Sequence, residues 1–290
     1  MSASRLFRGL AGLAPLAGAM LVVAAASMSG QAIAGITNTK HNLSTGAPGG
    51  QNRTTAGTDE ICVFCHTPHG SDTTAPAPLW NKNLSSLTGY TTYATLNSAT
   101  IDGQILAVGS VSLACLSCHD GSQAMDNIIN APGSGNYDAT GGGATGRGYT
   151  WDTATGRVNT DGVLQNSGGF IANLGKDLSN DHPIGIQYCG GGPNATTPAG
   201  TCVDADFVAP TSATINGNLV WWVNTTGGTP SREKSDMILY SRSFGGTIGP
   251  SVECGSCHDP HVQAGTGRAG ATFLRVANAG SAVCLSCHTK

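Results

Sequence analysis

The sequence predicts a chain that is mostly coil, with short helices and a few short β-strands, wrapped around attached prosthetic groups instead of a large side-chain core. Three observations predict it. The pentapeptide Cys-x-x-Cys-His occurs four times, at Cys62, Cys65 and His66, at Cys115, Cys118 and His119, at Cys254, Cys257 and His258, and at Cys284, Cys287 and His288. Glycine is abundant, at 42 of 290 residues, while aromatic residues make up only 6%. The stretches between the motifs carry little helical or strand periodicity.

Cys-x-x-Cys-His is the attachment site of a c-type haem. Two thiols form thioethers to the haem edge, and the following histidine is held beneath the iron as an axial ligand. Two intervening residues let one short turn present both thiols. Structural zinc sites do not need a histidine directly after each pair, and a dithiol redox centre needs only one pair, in a strand–helix context. Four copies, each with its histidine, therefore predict four covalent c haems and the fold of a multihaem c-type cytochrome.

From the N-terminus, Arg5 and Arg8 precede an apolar run from Leu10 to Ala26, and Ala32-Ile33-Ala34 offers small residues at a cleavage site. Residues 1–34 read as a secretory signal cut after Ala34, so the protein is expected to be exported, to the cell surface or beyond, with no stable membrane span after cleavage. Residues 35–290 read as one tetrahaem domain with a loop- and strand-rich insertion at about 121–253. Charged residues are sparse, at 11%, with 14 basic against 17 acidic side chains, which does not suit a nucleic-acid partner. Burial of each macrocycle would supply apolar contact that the composition lacks, so the chain without haem is expected to be largely unfolded.

Helical signals are brief and sit at the motifs, in "SVSLACLSCHDG" and "GSAVCLSCHTK". Within the insertion, "GSGNYDATGGGATGRG" reads as loop. "YTWDTATGRV" and "NLVWWVN" have the aromatic and β-branched content of short strands. Eight of the ten cysteines belong to the motifs; Cys189 and Cys202 bracket a Gly/Pro-rich loop, and a disulfide is expected there.

The eight histidines divide evenly. His66, His119, His258 and His288 are the proximal ligands, leaving His41, His69, His182 and His261 as sixth ligands for four irons. The sixth ligand decides between electron transfer and chemistry at the iron. Methionine is a weaker candidate, since only Met125 and Met237 lie outside the signal segment. In "CHTPH" and "CHDPH" the second histidine follows the first by three residues across a proline. Pro68 and Pro260 keep those connections extended, so His69 and His261 are expected to reach the iron of a neighbouring haem. His182 in "NDHPIG" is presented from an extended segment ahead of Pro183. His41 sits on a weakly apolar N-terminal arm and is expected to cross to a neighbouring subunit; the other reading folds it onto a haem of its own chain.

"TKHNLS", "DEICVFCHTPHG", "LACLSCHDGS", "LSNDHPIGI", "VECGSCHDPH" and "FLRVANAGSAVCLSCHTK" together resemble the tetrahaem cytochromes of the outer-membrane cytochrome E type from metal-reducing bacteria. That resemblance implies bis-histidine haems in a continuous row and subunits joined head to tail in an extracellular filament. It also implies an axial histidine shared between subunits, and delivery of respiratory electrons to other cytochromes and external acceptors. A soluble periplasmic or surface shuttle is the alternative. A multihaem reductase, which needs an open iron site, fits the histidine count least well.

Overall fold

The computed structural model describes residues 35–48, 52–167, 170–227, 231–262 and 272–290. The expected signal segment, 1–34, lies outside the described residues. Gly35–Lys290 forms one unit. Most of it is turn and coil, into which seven short strands and three short α-helices are set among the described residues.

The strands fall into two groups. β1 (Thr54–Ala56) pairs with β2 (Thr150–Trp151) in a small antiparallel ribbon. β3 (Ile186–Gln187), β4 (Thr211–Ile215), β5 (Asn218–Val223), β6 (Met237–Phe244) and β7 (Thr247–Val252) form an antiparallel sheet in the order β3-β7-β6-β5-β4. Its turns are written in the sequence. Asn216-Gly217 joins β4 to β5 and Gly245-Gly246 joins β6 to β7, all four residues at positive φ, as the tightest hairpin turns require. β5 is the strand expected in "NLVWWVN", whereas only two residues of "YTWDTATGRV" form a strand. The β6–β7 hairpin is the larger feature that alternation of small polar and apolar residues left faint.

Helix α1 (Ser110–His119) carries the second motif on its last turns. α2 (Cys254–Cys257) is the third motif itself, and α3 (Ala282–Leu285) opens the fourth. The first motif sits in a 3-10 turn, Cys62–Phe64. Among the described residues, no helix is long and apolar enough to cross a membrane.

Apolar side chains gather in three separate clusters. One, built on Phe64, Met125, Trp151, Val158 and Leu164, packs against Cys65 and Cys118. A second, built on the sheet residues Trp221, Val223, Met237 and Leu239 with Tyr188, packs against Cys257 and Cys287. A third, around Leu84, Leu87 and Leu113, supports α1. Each cluster thus stops at attachment cysteines or at the helix that bears them. Cys189 and Cys202 are joined by a disulfide, with their Cα atoms 5.4 Å apart.

A buried polar joint connects the two larger clusters. The Glu253 side chain accepts from Ser112 Oγ at 2.6 Å, Arg242 Nη1 at 2.8 Å and Ser251 Oγ at 3.0 Å. Ser112 Oγ also accepts from the Cys254 amide at 3.1 Å, and Glu253 caps α2 in a reciprocal arrangement with Ser256. The joint therefore fixes α1, which bears the second motif, against α2, the third.

Candidate functional site

Each motif closes into the same tight turn. The amides of His66, His258 and His288 donate to the carbonyls of Cys62, Cys254 and Cys284 at 2.8, 3.1 and 3.0 Å, and the second motif makes its turn within α1. One i to i+4 turn brings two cysteines three apart onto the same side of the chain. The eight motif cysteines are unpaired, in contrast to Cys189 and Cys202.

The motif histidines are oriented from behind. His66 Nδ1 donates to the Pro78 carbonyl, His119 Nδ1 to that of Ala172 and His258 Nδ1 to that of Thr272, each at 2.7 Å. A carbonyl can only accept, so each ring carries its proton on Nδ1 and leaves the Nε2 lone pair free. This is the arrangement that fixes a metal-ligating imidazole in its tautomer and orientation. His288 is held against Phe207, with ring centroids 4.4 Å apart. His182 Nδ1 donates to the Pro183 carbonyl at 3.0 Å.

Two histidine pairs have a spacing that tests the fit of a haem iron. With metal–nitrogen bonds of about 2 Å and ring centres a little over 1 Å further out, two imidazoles on opposite sides of one metal have centroids about 6 Å apart. His66 and His261 are 6.0 Å apart with rings 15° from parallel. His41 and His119 are 6.1 Å apart with rings nearly perpendicular. His261 belongs to the third motif's "CHDPH" segment, and its ring lies beside that of His66 in the first motif. Among the described residues, no three His, Cys, Asp or Glu side chains converge as a bare-ion site. The residues present thus fit a flat macrocycle ligated from both faces better than an isolated ion.

His41 stands beside His119 of its own chain, the second of the two placements open to it. The arm is not loose. Leu43 is buried in the first cluster, its carbonyl accepts from the Thr54 amide at 2.9 Å, and His41 stacks on Phe273 at 4.3 Å. Burial first, then the nearby His119, push the His41 imidazole down to about 4, so the ring is neutral at neutral pH, as a metal ligand must be. Burial lowers His119 in the same direction. His182 is lowered by desolvation, with the neighbouring His288 adding to it, which brings the "NDHPIG" segment to the fourth motif.

His69 has the opposite character. Its ring is exposed, yet its backbone is clamped: the His69 carbonyl accepts from Thr67 Oγ1 at 3.0 Å and Asn130 Nδ2 at 2.8 Å. Among the described residues, neither His69 nor His258 has a histidine at the spacing of the two pairs above.

The thiols stand next to one another in chain order. Burial, then Cys118, push the Cys65 thiol up to about 12. The hydrogen bond shared with Cys254, together with burial, raises Cys115. Burial raises Cys257, with Cys254 and Cys284 adding to it against Arg275; burial, then Cys257, push Cys287 up to about 12. The first and second motifs share one apolar cluster, the second is hydrogen-bonded to the third through Ser112 and the Cys254 amide, and the third and fourth share the sheet cluster.

Sequence reasoning missed the carbonyls behind the histidines, since Pro78, Ala172 and Thr272 act through backbone atoms that any residue supplies. It also missed Phe273, which has no fixed spacing from His41.

Residues 250–290, which contain the third and fourth motifs, match the family model described as the doubled CXXCH motif. Comparison with curated proteins gave no match, and neither did comparison with solved structures. The doubled motif and the turns that build it give the chain the features of a multihaem c-type cytochrome: it has attachment sites for covalently bound haem c, and its general chemistry is haem-based electron transfer.

Proposed function

We propose that residues 35–290 hold four covalent c haems, each ligated by two histidines, and that the chain is the subunit of an extracellular filament carrying respiratory electrons to external acceptors. Bound haem supplies a one-electron iron centre at each motif. The chain supplies everything else. Eight cysteines anchor the four groups, the backbone carbonyls of Pro78, Ala172 and Thr272 orient three proximal rings, and the apolar clusters pack against Cys65, Cys118, Cys257 and Cys287. His66 with His261, His119 with His41, and His288 with His182 form three ligand pairs.

The observation that carries this reading is the chain-order placement of the motifs: Cys65 and Cys118 pack on one apolar cluster, α1 is bonded to α2 through Ser112, Glu253 and the Cys254 amide, and Cys257 and Cys287 pack on the sheet cluster. Such contacts leave no gap in the row.

The filament part rests on the two histidines left over. His69 is exposed on a clamped loop, and His258 lacks a facing ring. His69 of one copy completes the site at His258 of the next. The two surfaces differ, so repetition gives an open, head-to-tail assembly. His69→Ala tests it. Intact mass should still show four haems, while negative-stain microscopy shows no filaments and one haem becomes high-spin. Filaments with unchanged spectra would reject the crossing. The inward-turned His41 favours the shuttle alternative, in which the wild-type protein stays monomeric at every concentration by sedimentation.

A further inference from the structure

Lys82 is fully buried, at 0% exposure. Its Nζ donates to the carbonyls of Ala124 at 3.1 Å, Met125 at 2.9 Å and Asn127 at 3.3 Å. Three acceptors match the three N–H donors of an ammonium group, and among the described residues no carboxylate is in ion-pair contact with it. That sets it apart from the other charges buried near the motifs. Glu253 is paired with Arg242 at 2.8 Å, and Arg275 lies 3.7 Å from Asp259. Asp126 is the carboxylate nearest in sequence to the Lys82 acceptors, and burial raises its pKa, with Lys82 among the groups pulling it back.

The position is tied to the first motif. The preceding residue, Asn81, donates its amide to the Cys65 carbonyl at 2.9 Å and its Nδ2 to the Val63 carbonyl at 2.6 Å. Met125, whose carbonyl Lys82 holds, lies in the cluster that packs against Cys65 and Cys118. The backbone that carries the first attachment turn and the backbone that holds the ammonium are therefore one layer.

We propose that Lys82 is a potential-setting residue, a buried cation that favours the reduced form of the centre carried on Cys62 and Cys65. The inference rests on the reading that this motif carries a haem. Reduction adds one electron, takes ferric iron to ferrous and lowers the charge of the centre by one; no proton or other reactant is required. A fixed positive charge nearby stabilises the less positive state. Three neutral carbonyl dipoles do not cancel it, because a dipole's field falls faster with distance than that of a charge. Because Lys82 is itself fully buried, its charge acts more strongly than it would in solvent. The effect is to bias electrons toward the first motif, at one end of the row.

The test uses the secreted, haem-loaded protein. Peptide mapping by mass spectrometry first establishes that Cys62 and Cys65 carry haem. Their being unmodified in the wild type would defeat the proposed function rather than this inference. Spectroelectrochemical titration is then compared for wild type, Lys82→Met, Lys82→Gln and Lys82→Arg. Gln keeps amide donors for the carbonyls, and Arg keeps the charge. In both neutral variants one component should shift to lower potential, by on the order of tenfold in its reduction equilibrium. The remaining components should shift less, and the Arg variant should overlay the wild type. Haem-loaded Met or Gln variants with an unshifted titration would overturn the proposal. So would a comparable shift in the Arg variant. Failure of both neutral variants to hold haem, with Arg normal, would assign Lys82 a structural role and likewise overturn it.

Discussion

The two ends of the molecule solve one problem with different materials. The first and second motifs are walled by turns, a two-strand ribbon and side chains that bond backbone, such as Asn81, Asn130 and Lys82. The third and fourth are walled by a five-stranded sheet and a disulfide-closed loop. Despite this, His66, His119 and His258 meet a backbone carbonyl at the same 2.7 Å. The attachment geometry is thus local, a tight turn joined in three of the four motifs by one carbonyl behind the histidine, and the surrounding architecture is free to differ. The scaffold decides how much order survives without haem.

That difference is sharpest in the apoprotein. The chain produced without haem attachment should lose cooperative unfolding, with amide protection vanishing first around the first two motifs. Strands β5 to β7 and the loop closed by Cys189 and Cys202 should retain partial protection by hydrogen exchange. Equal protection in the two regions would show that the sheet has no stability of its own. Next in size, Trp221→Ala removes a side chain with 0% exposure from the sheet cluster, and should cost about 3–5 kcal/mol. Denaturant titration should show this loss in the third- and fourth-motif region, with the absorption of the first motif's site changing last.

Opening the loop by Cys189→Ser with Cys202→Ser should cost about 3 kcal/mol, and thiol labelling of the denatured, unreduced wild type should find neither cysteine free. The smallest effect falls on the joint between the regions. Ser112→Ala deletes one of the donors to the Glu253 side chain, and should cost about 1.5–3 kcal/mol. It should also uncouple the two regions, turning one denaturation transition into two. A single unchanged transition would mean that contacts other than this joint hold α1 to α2.

Much of the site was legible because covalent attachment imposes a fixed spacing. Cys-x-x-Cys-His fixes anchor and proximal ligand within five residues, and Cys189 and Cys202 stand out once those are assigned. The placement of His261 beside His66 has a local reason, since Pro260 limits where a ring three residues beyond His258 can go. The fate of His41 was not legible. Its arm looks weakly apolar in sequence, but its position is set by Leu43 in a cluster drawn from residues up to Leu164 and by stacking on Phe273. The sheet was partly legible through its Asn-Gly and Gly-Gly turns. Its strand order follows from consecutive hairpins, except for β3, which pairs with β7 across more than sixty intervening residues. Lys82 was invisible, because only the fold brings the carbonyls of residues 124, 125 and 127 around its ammonium group.

The central claim is that four motifs of like geometry hold four haems, and intact mass spectrometry of the secreted protein addresses it without assuming any structure. The account predicts a mass equal to residues 35–290 with the Cys189–Cys202 disulfide plus four haem groups. A mass corresponding to three or fewer would contradict it.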